Sequence, residues 1–216
     1  MLDWRNIRRL YEELGDPFLM MPISSAATSL NQSLEDCNDS FQEFMGPYGV
    51  ARSCWTVPCE LVHEQIGIVI GNAFVLAQVG ISQAVSICLK LNEYCADISR
   101  LPKSKSGFLK AESAFIYDTD VSQIEAIDAV ANYFKHHHEW PDGWSEDHAK
   151  GVQRNTILMV KKLGFSEDGL TDNMWRALFL LSIYDNDLGK LCRMVSDWRE
   201  SLPKLFKNDS NISSCV

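Results

Sequence analysis

The stretch QIGIVIGNAFVLAQVGISQAVSICL, residues 65–89, contains no charged side chain, and the fold turns on what covers it. It is long enough to cross a bilayer as a helix. Gly67-x-x-x-Gly71 resembles the small-residue spacing at which membrane helices pack. Other features point to a protein core. Asn72, Gln78, Ser82, Gln83 and Ser86 are dotted through the stretch, Glu60 and Glu64 stand just before it, and no aromatic belt marks either end. It therefore reads as the central helix of a bundle, covered nearly all round by its neighbours or by a second copy of the chain. A membrane segment at 65–89 is the lesser alternative.

Outward from this axis, helical periodicity dominates. Trp4, Ile7, Leu10, Tyr11 and Leu14 share one face of a helix over residues 3–14, with Asp3 as its N-cap and Gly15-Asp16-Pro17 as its stop. Leu30, Leu34, Cys37, Phe41 and Phe44 mark a second helix, from Ser24 or Ser25 to Gly46-Pro47. Residues 46–58 read as a loop, and Pro58 is placed to open the central helix, which is expected to run to about Ser99 with a break near Gly80. Residues 101–120 contain Pro102 and Gly107 and read as a polar connector. Thr119 or Asp120 is the expected cap of a helix reaching about Trp140, stopped by Pro141-Asp142-Gly143. Three more helices are expected at about 146–163, 171–184 and 187–207, with Pro203 kinking or ending the last. Trp175, Phe179 and Trp198 read as core.

With no alternating strand pattern and no repeat, the expected fold is all-α, a multi-helix bundle of about seven helices. Residues 1–140 form the main bundle, 141–207 supply C-terminal helices packed on it, and 208–216 form a flexible tail.

The net charge of −9 argues against broad, non-specific nucleic-acid binding, which needs a basic surface, leaves room for a small basic cleft, and suits a protein that neutralises a basic partner. Seven cysteines without a C-x-x-C pair or regular spacing argue against a disulfide scaffold or zinc ribbon. The charged, amphipathic beginning MLDWRNIRRLYEELGD lacks the pattern of a signal peptide, so a reducing, cytoplasmic location is expected. Phosphate loops, G-x-G-x-x-G and G-x-S-x-G are absent, and His63-Glu64 fails as H-E-x-x-H because position 67 is Gly67.

The chemistry concentrates in ANYFKHHHEW, residues 131–140. Projected at 100° per residue over 121–140, Ile124, Ile127, Val130, Ala131, Phe134 and His138 face the core. Glu125, Asp128, Asn132, Lys135, His136 and Glu139 collect on the opposite side, and His137 lies between, next to Tyr133. The three histidines point three ways, so they do not bind one metal together, and no metal or cofactor is expected. Asp128, Asn132 and His136 form one stripe at i, i+4 and i+8. A histidine near its ordinary pKa gives and takes protons at neutral pH. Asp128 or Asn132 can fix its tautomer, and Lys135 can hold a phosphate by charge. That set suits RNA cleavage through the 2′-hydroxyl. The same residues also describe an ordinary solvated helix face, with Trp140 as an anchor at its end.

Asn132-x-x-x-His136 resembles the R-N-x-x-x-H motif of the HEPN superfamily, and the run A-N-Y-F-K-H-x-x-E-W is similar to bacterial HEPN-like proteins. The resemblance covers about residues 20–140 and implies a helical, often dimeric domain. It further implies either a metal-independent ribonuclease of the toxin–antitoxin or phage-defence kind, with His136 as acid or base and RNA as substrate, or a non-catalytic binding module. The family's arginine position is Ala131 here, which puts the phosphate contact in doubt, and Lys135 is a point charge rather than a guanidinium fork. The expected partners are a second copy of the chain, an RNA substrate or a protein partner of interaction or immunity type. The lysines Lys103, Lys105 and Lys110 precede the motif as a candidate phosphate-binding groove or a solvated loop, and Arg5, Arg8 and Arg9 on the first helix are equally open.

Overall fold

The computed structural model describes residues 4–45, 57–94, 101–140, 144–145, 149–167 and 169–206. Of the expected loop at 46–58, residues 46–56 lie outside the described residues and Val57 and Pro58 are already helical; the Pro141-Asp142-Gly143 stop and the tail also lie outside them. The fold is all-α. Its helices are α1 (Trp4–Gly15), α2 (Met21–Met45), α3 (Val57–Tyr94), α4 (Lys105–Lys110), α5 (Gln123–His136), α6 (Gly151–Lys162), α7 (Leu170–Leu180), α8 (Gly189–Ser201) and α9 (Pro203–Phe206). Single 3₁₀ turns, Pro17–Met20 and His137–Glu139, precede α2 and follow α5.

The axis is α3. At 1.5 Å per residue its 38 residues span about 57 Å. Helices α1, α2, α5, α7 and α8 all pack against it. Its Ile66, Ile70, Ala73, Phe74, Ala77, Ile81, Ala84, Cys88 and Leu91 are buried, which gives the uncharged stretch its place as the core of the bundle. By length and composition α3 also passes as a membrane-spanning helix, and just over half of that window is buried among its neighbours.

The expected break at Gly80 does not occur; α3 runs through it. Gly80 is needed for contact rather than for a kink, since a Cβ there would meet Met20 Sδ at 2.6 Å. Gly67 and Gly71 serve two different neighbours. A Cβ on Gly67 would meet Thr171 Oγ1 of α7 at 2.5 Å, and one on Gly71 would meet the Phe134 ring of α5 at 2.1 Å. The bare backbone of α3 thus lets α5 and α7 approach closely on successive turns.

The connector at 101–120 is more ordered than its composition suggests. Ser104 caps the short α4, whose Phe108 and Leu109 are buried. The cap of α5 is Ser122, not Thr119 or Asp120. Ser122 Oγ accepts from Glu125 N at 3.1 Å, and the Glu125 carboxylate accepts from Ser122 N at 3.1 Å, a reciprocal capping box. Thr119 Oγ1 is instead spent on Ile116 O at 2.9 Å inside the preceding turn, and Asp120 pairs with Lys162 at 2.9 Å. Among the C-terminal helices, α8 ends at Ser201 and Pro203 opens α9. Trp198 is buried and Trp175 is partly buried, but Phe179, one residue from the end of α7, is exposed with its ring 5.3 Å from that of Tyr184.

Candidate functional site

The histidine stretch divides at the end of α5. The helix stops at His136, and His137–Glu139 tighten into a 3₁₀ turn. The 100° projection therefore fails beyond His136. His138 is exposed and lies 3.7 Å from Glu139, not on the core face. His137 turns back over the helix end, its Nδ1 within 3.2 Å of Tyr133 O and 3.3 Å of Phe134 O, so the ring lies against the last-turn carbonyls, of which Tyr133 O also accepts from the His137 backbone N–H. The Tyr133 ring sits in an aromatic nest with His137, Trp140, Trp144 and Phe165 at centroid distances of 5.0–5.6 Å. Its hydroxyl accepts from Asn173 Nδ2 at 2.8 Å. Burial raises the Tyr133 pKa, and the Asn173 bond only partly offsets it. Half of this stretch therefore closes the end of α5 and ties it to α7.

The polar stripe is not solvated as projected. Asp128 and Glu125 are buried. The projection equates polar with outward, but other elements supply partners that make burial tolerable. Gln78 of α3, itself buried, donates to Asp128 Oδ1 at 2.8 Å and to Asp128 O at 3.1 Å. Lys105 of α4 donates to the same carboxylate at 2.8 Å. Lys135 Nζ donates to Gln78 Oε1 at 2.7 Å. Asn132 Nδ2 is 3.5 Å from Asp128 Oδ2, at the limit of a hydrogen bond. Lys110 lies 3.6 Å from Glu125. Three of the four candidate site residues are thus joined in a network that braces α5 against α3 and α4.

His136 is not in that network. Its side chain is half exposed, and its Nδ1 lies 3.4 Å from the Glu139 carboxylate. With Asn132, Glu139 and Trp140 it lines a pocket of about 350 Å³, closed on the other side by Val152, Gln153 and Thr156 of α6. Lys135 faces the other way, into a groove of about 600 Å³ along α3. Asn132 is the link between the two: it borders the His136 pocket and reaches toward Asp128.

Chemically, the pocket offers an imidazole–carboxylate pair, two amides and a hydroxyl. Among the described residues no lysine or arginine lines it. Ala131, at the position where the HEPN motif carries arginine, is fully buried against the core. Among the described residues no group of three or more His, Cys, Asp or Glu is placed to hold a metal ion. Gln78, Gln153 and Thr156 escape sequence reasoning. Only Gln78 carries a signal, as a lone amide on the core side of an apolar helix, which must find a partner.

No protein-family model, no curated protein and no solved structure matches this chain.

Proposed function

We propose that this chain is a non-catalytic helical interaction protein, HEPN-like in its α5 motif, that works by binding a protein partner. The observation that supports this reading is that, among the described residues, no lysine or arginine lines the His136 pocket. Cleavage of RNA through its 2′-hydroxyl develops negative charge on a phosphate, which needs a positioned donor or cation beside the acid/base group. Lys105 is bonded to Asp128, Lys135 is bonded to Gln78 and faces another groove, and the carboxylate nearest His136, Glu139, would repel a phosphate. Ala131 adds no guanidinium.

The charge distribution supports a basic partner. Between Leu10 and Leu89 the chain carries nine carboxylates and a single cation, Arg52, so this stretch holds eight of the nine net negative charges. Glu35, Asp36, Asp39 and Glu43 of α2 and Glu60 and Glu64 of α3 are all exposed. Phe41 and His63 lie 6.0 Å apart, which brings the end of α2 beside the start of α3 and gathers those carboxylates at one end of the bundle. Such a field speeds encounter with a basic protein and disfavours nucleic acid.

A second reading, metal-independent RNA cleavage with His136 as acid or base, is favoured by one observation: the His136–Glu139 pair and Asn132 share a pocket. Cells expressing the wild-type chain and His136→Ala separate the two. The binding reading expects equal growth and intact RNA in both. Growth arrest with fragmented RNA in the wild type alone would overturn it in favour of the nuclease.

A further inference from the structure

Helix α3 is the hub of the fold, yet among the described residues one side of it is uncovered. Glu64, Ile68, Asn72, Val79, Ser82, Ser86 and Lys90 are exposed along α3. With half-buried Val75 they fall within an arc of about 100°. Leu61 is 54% exposed, Ile68 47% and Val79 43%, in a helix whose other sides are packed. The groove of about 600 Å³ lies beside only the second half of this stripe, from Val75 to Lys90, walled by Glu13, Leu19 and Lys135. The first half, with Leu61 and Ile68, lies outside that groove.

We propose that two copies of this chain pair through α3 in antiparallel fashion, the first half of each stripe lying in the groove beside the second half of the other. A twofold axis near position 77 sets Glu64 opposite the second copy's lysine at position 90. By the same register Ile68 meets the serine at 86, Asn72 meets the serine at 82, and Val75 meets the valine at 79. These four pairings are complementary: carboxylate with ammonium, large with small, amide with hydroxyl, apolar with apolar; Leu61, at the end of the stripe, meets the glutamate at 93. A parallel pair would instead set Glu64 on its own copy, Lys90 on its own copy, and the bulky Ile68 on itself. The uncharged run from Gln65 to Leu89 belongs to the same logic, because an isologous interface presents every residue to the same surface. A charge in the middle of the stripe would meet a like charge close to the axis. Within the α3 stripe itself the ionised groups stand only at the two ends, about 39 Å apart along the helix, where antiparallel pairing joins opposites; Lys135 on the groove wall is held by Gln78 at 2.7 Å.

The test is the mass in solution, by light scattering on a sizing column and by sedimentation at protein concentrations up to about 0.1 mM. The wild type is expected at twice 24.5 kDa. Ile68→Glu is expected to run at 24.5 kDa with an unchanged helical spectrum, since its side chain is exposed in the single copy. Glu64→Lys and Lys90→Glu each set like charges at both ends and are expected to weaken the dimer by about tenfold or more. Combined in one chain, they restore it, because position 64 of each copy meets position 90 of the other. A monomeric wild type overturns the proposal. So does a dimer that Ile68→Glu leaves intact, and so does failure of the charge-swapped chain to recover. Should Ile68→Glu not fold, the charge series alone decides.

Discussion

Replacing Asp128 with alanine is the sharpest test of the polar network, because it separates a structural brace from a strained functional site. The carboxylate is buried and receives hydrogen bonds from Gln78 and Lys105, both at 2.8 Å. A hydrogen bond to a charged acceptor contributes about 1.5–3 kcal/mol when buried. The Gln78 bond is of that kind, but Gln78 keeps Asp128 O and Lys135 as partners, so the lower end applies. Lys105 is about half exposed and returns to solvent when its partner is removed, so its pair adds at most about 1 kcal/mol. The expected loss for Asp128→Ala is about 1.5–2.5 kcal/mol, or roughly 3–10 °C in Tm for a chain of this size. Asp128→Asn keeps the shape and is expected to cost about half as much, and Lys105→Ala no more than about 1 kcal/mol. Urea unfolding followed by circular dichroism measures all three. If Asp128→Ala is within about 0.5 kcal/mol of wild type, or is more stable, the brace argument is wrong and the network is a strained functional site of the kind whose removal stabilises.

Further outcomes follow from packing and burial. Gly71→Ala drives a methyl group into the Phe134 ring and is expected to cost about 3 kcal/mol, whereas Gly80→Ala meets the flexible end of Met20 and is expected to cost less than half of that by the same unfolding assay. Tyr133→Phe removes the acceptor for Asn173 and is expected to cost about 1 kcal/mol, Asn173 retaining Ser166 O at 2.8 Å. Burial pushes the Cys88 thiol up to about 12 and the Cys192 thiol up to about 11, from an ordinary value of 9.0. The folded protein therefore holds these protons where the unfolded chain releases them. Their contribution to stability is full below pH 9.0 and is lost as pH rises through 11 and 12. Unfolding free energies measured across that range should fall, and neither thiol should react with a thiol reagent at neutral pH until the chain unfolds.

Periodicity makes most of this fold legible, because the long helices carry apolar stripes at spacings of three and four: the described stripes of α1 and α8 are buried faces, and that of α2 is buried at Leu34 and half-buried at Leu30, Cys37 and Phe41. What the sequence conceals depends on partners distant along the chain. Gly80 reads as a break by local propensity, yet the approach of Met20 explains it. Asp128 reads as solvated because a helical wheel cannot contain Gln78, 50 residues away, or Lys105 on a short helix hidden in a polar connector. His138 is misplaced because the helix tightens one residue too early for the projection to hold. The candidate site was legible as a group of residues on one helix. That Lys135 and His136, adjacent in sequence, open onto different cavities follows from the packing of α3 and α6 on opposite flanks of α5.

The most direct measurement of binding against catalysis is cleavage of a short single-stranded RNA by the purified wild-type chain and by His136→Ala, without added metal. Because no lysine or arginine among the described residues lines the His136 pocket, the expected rate for both proteins equals that of buffer alone. Cleavage by the wild type that disappears in His136→Ala would contradict that expectation and make His136 an acid/base catalyst.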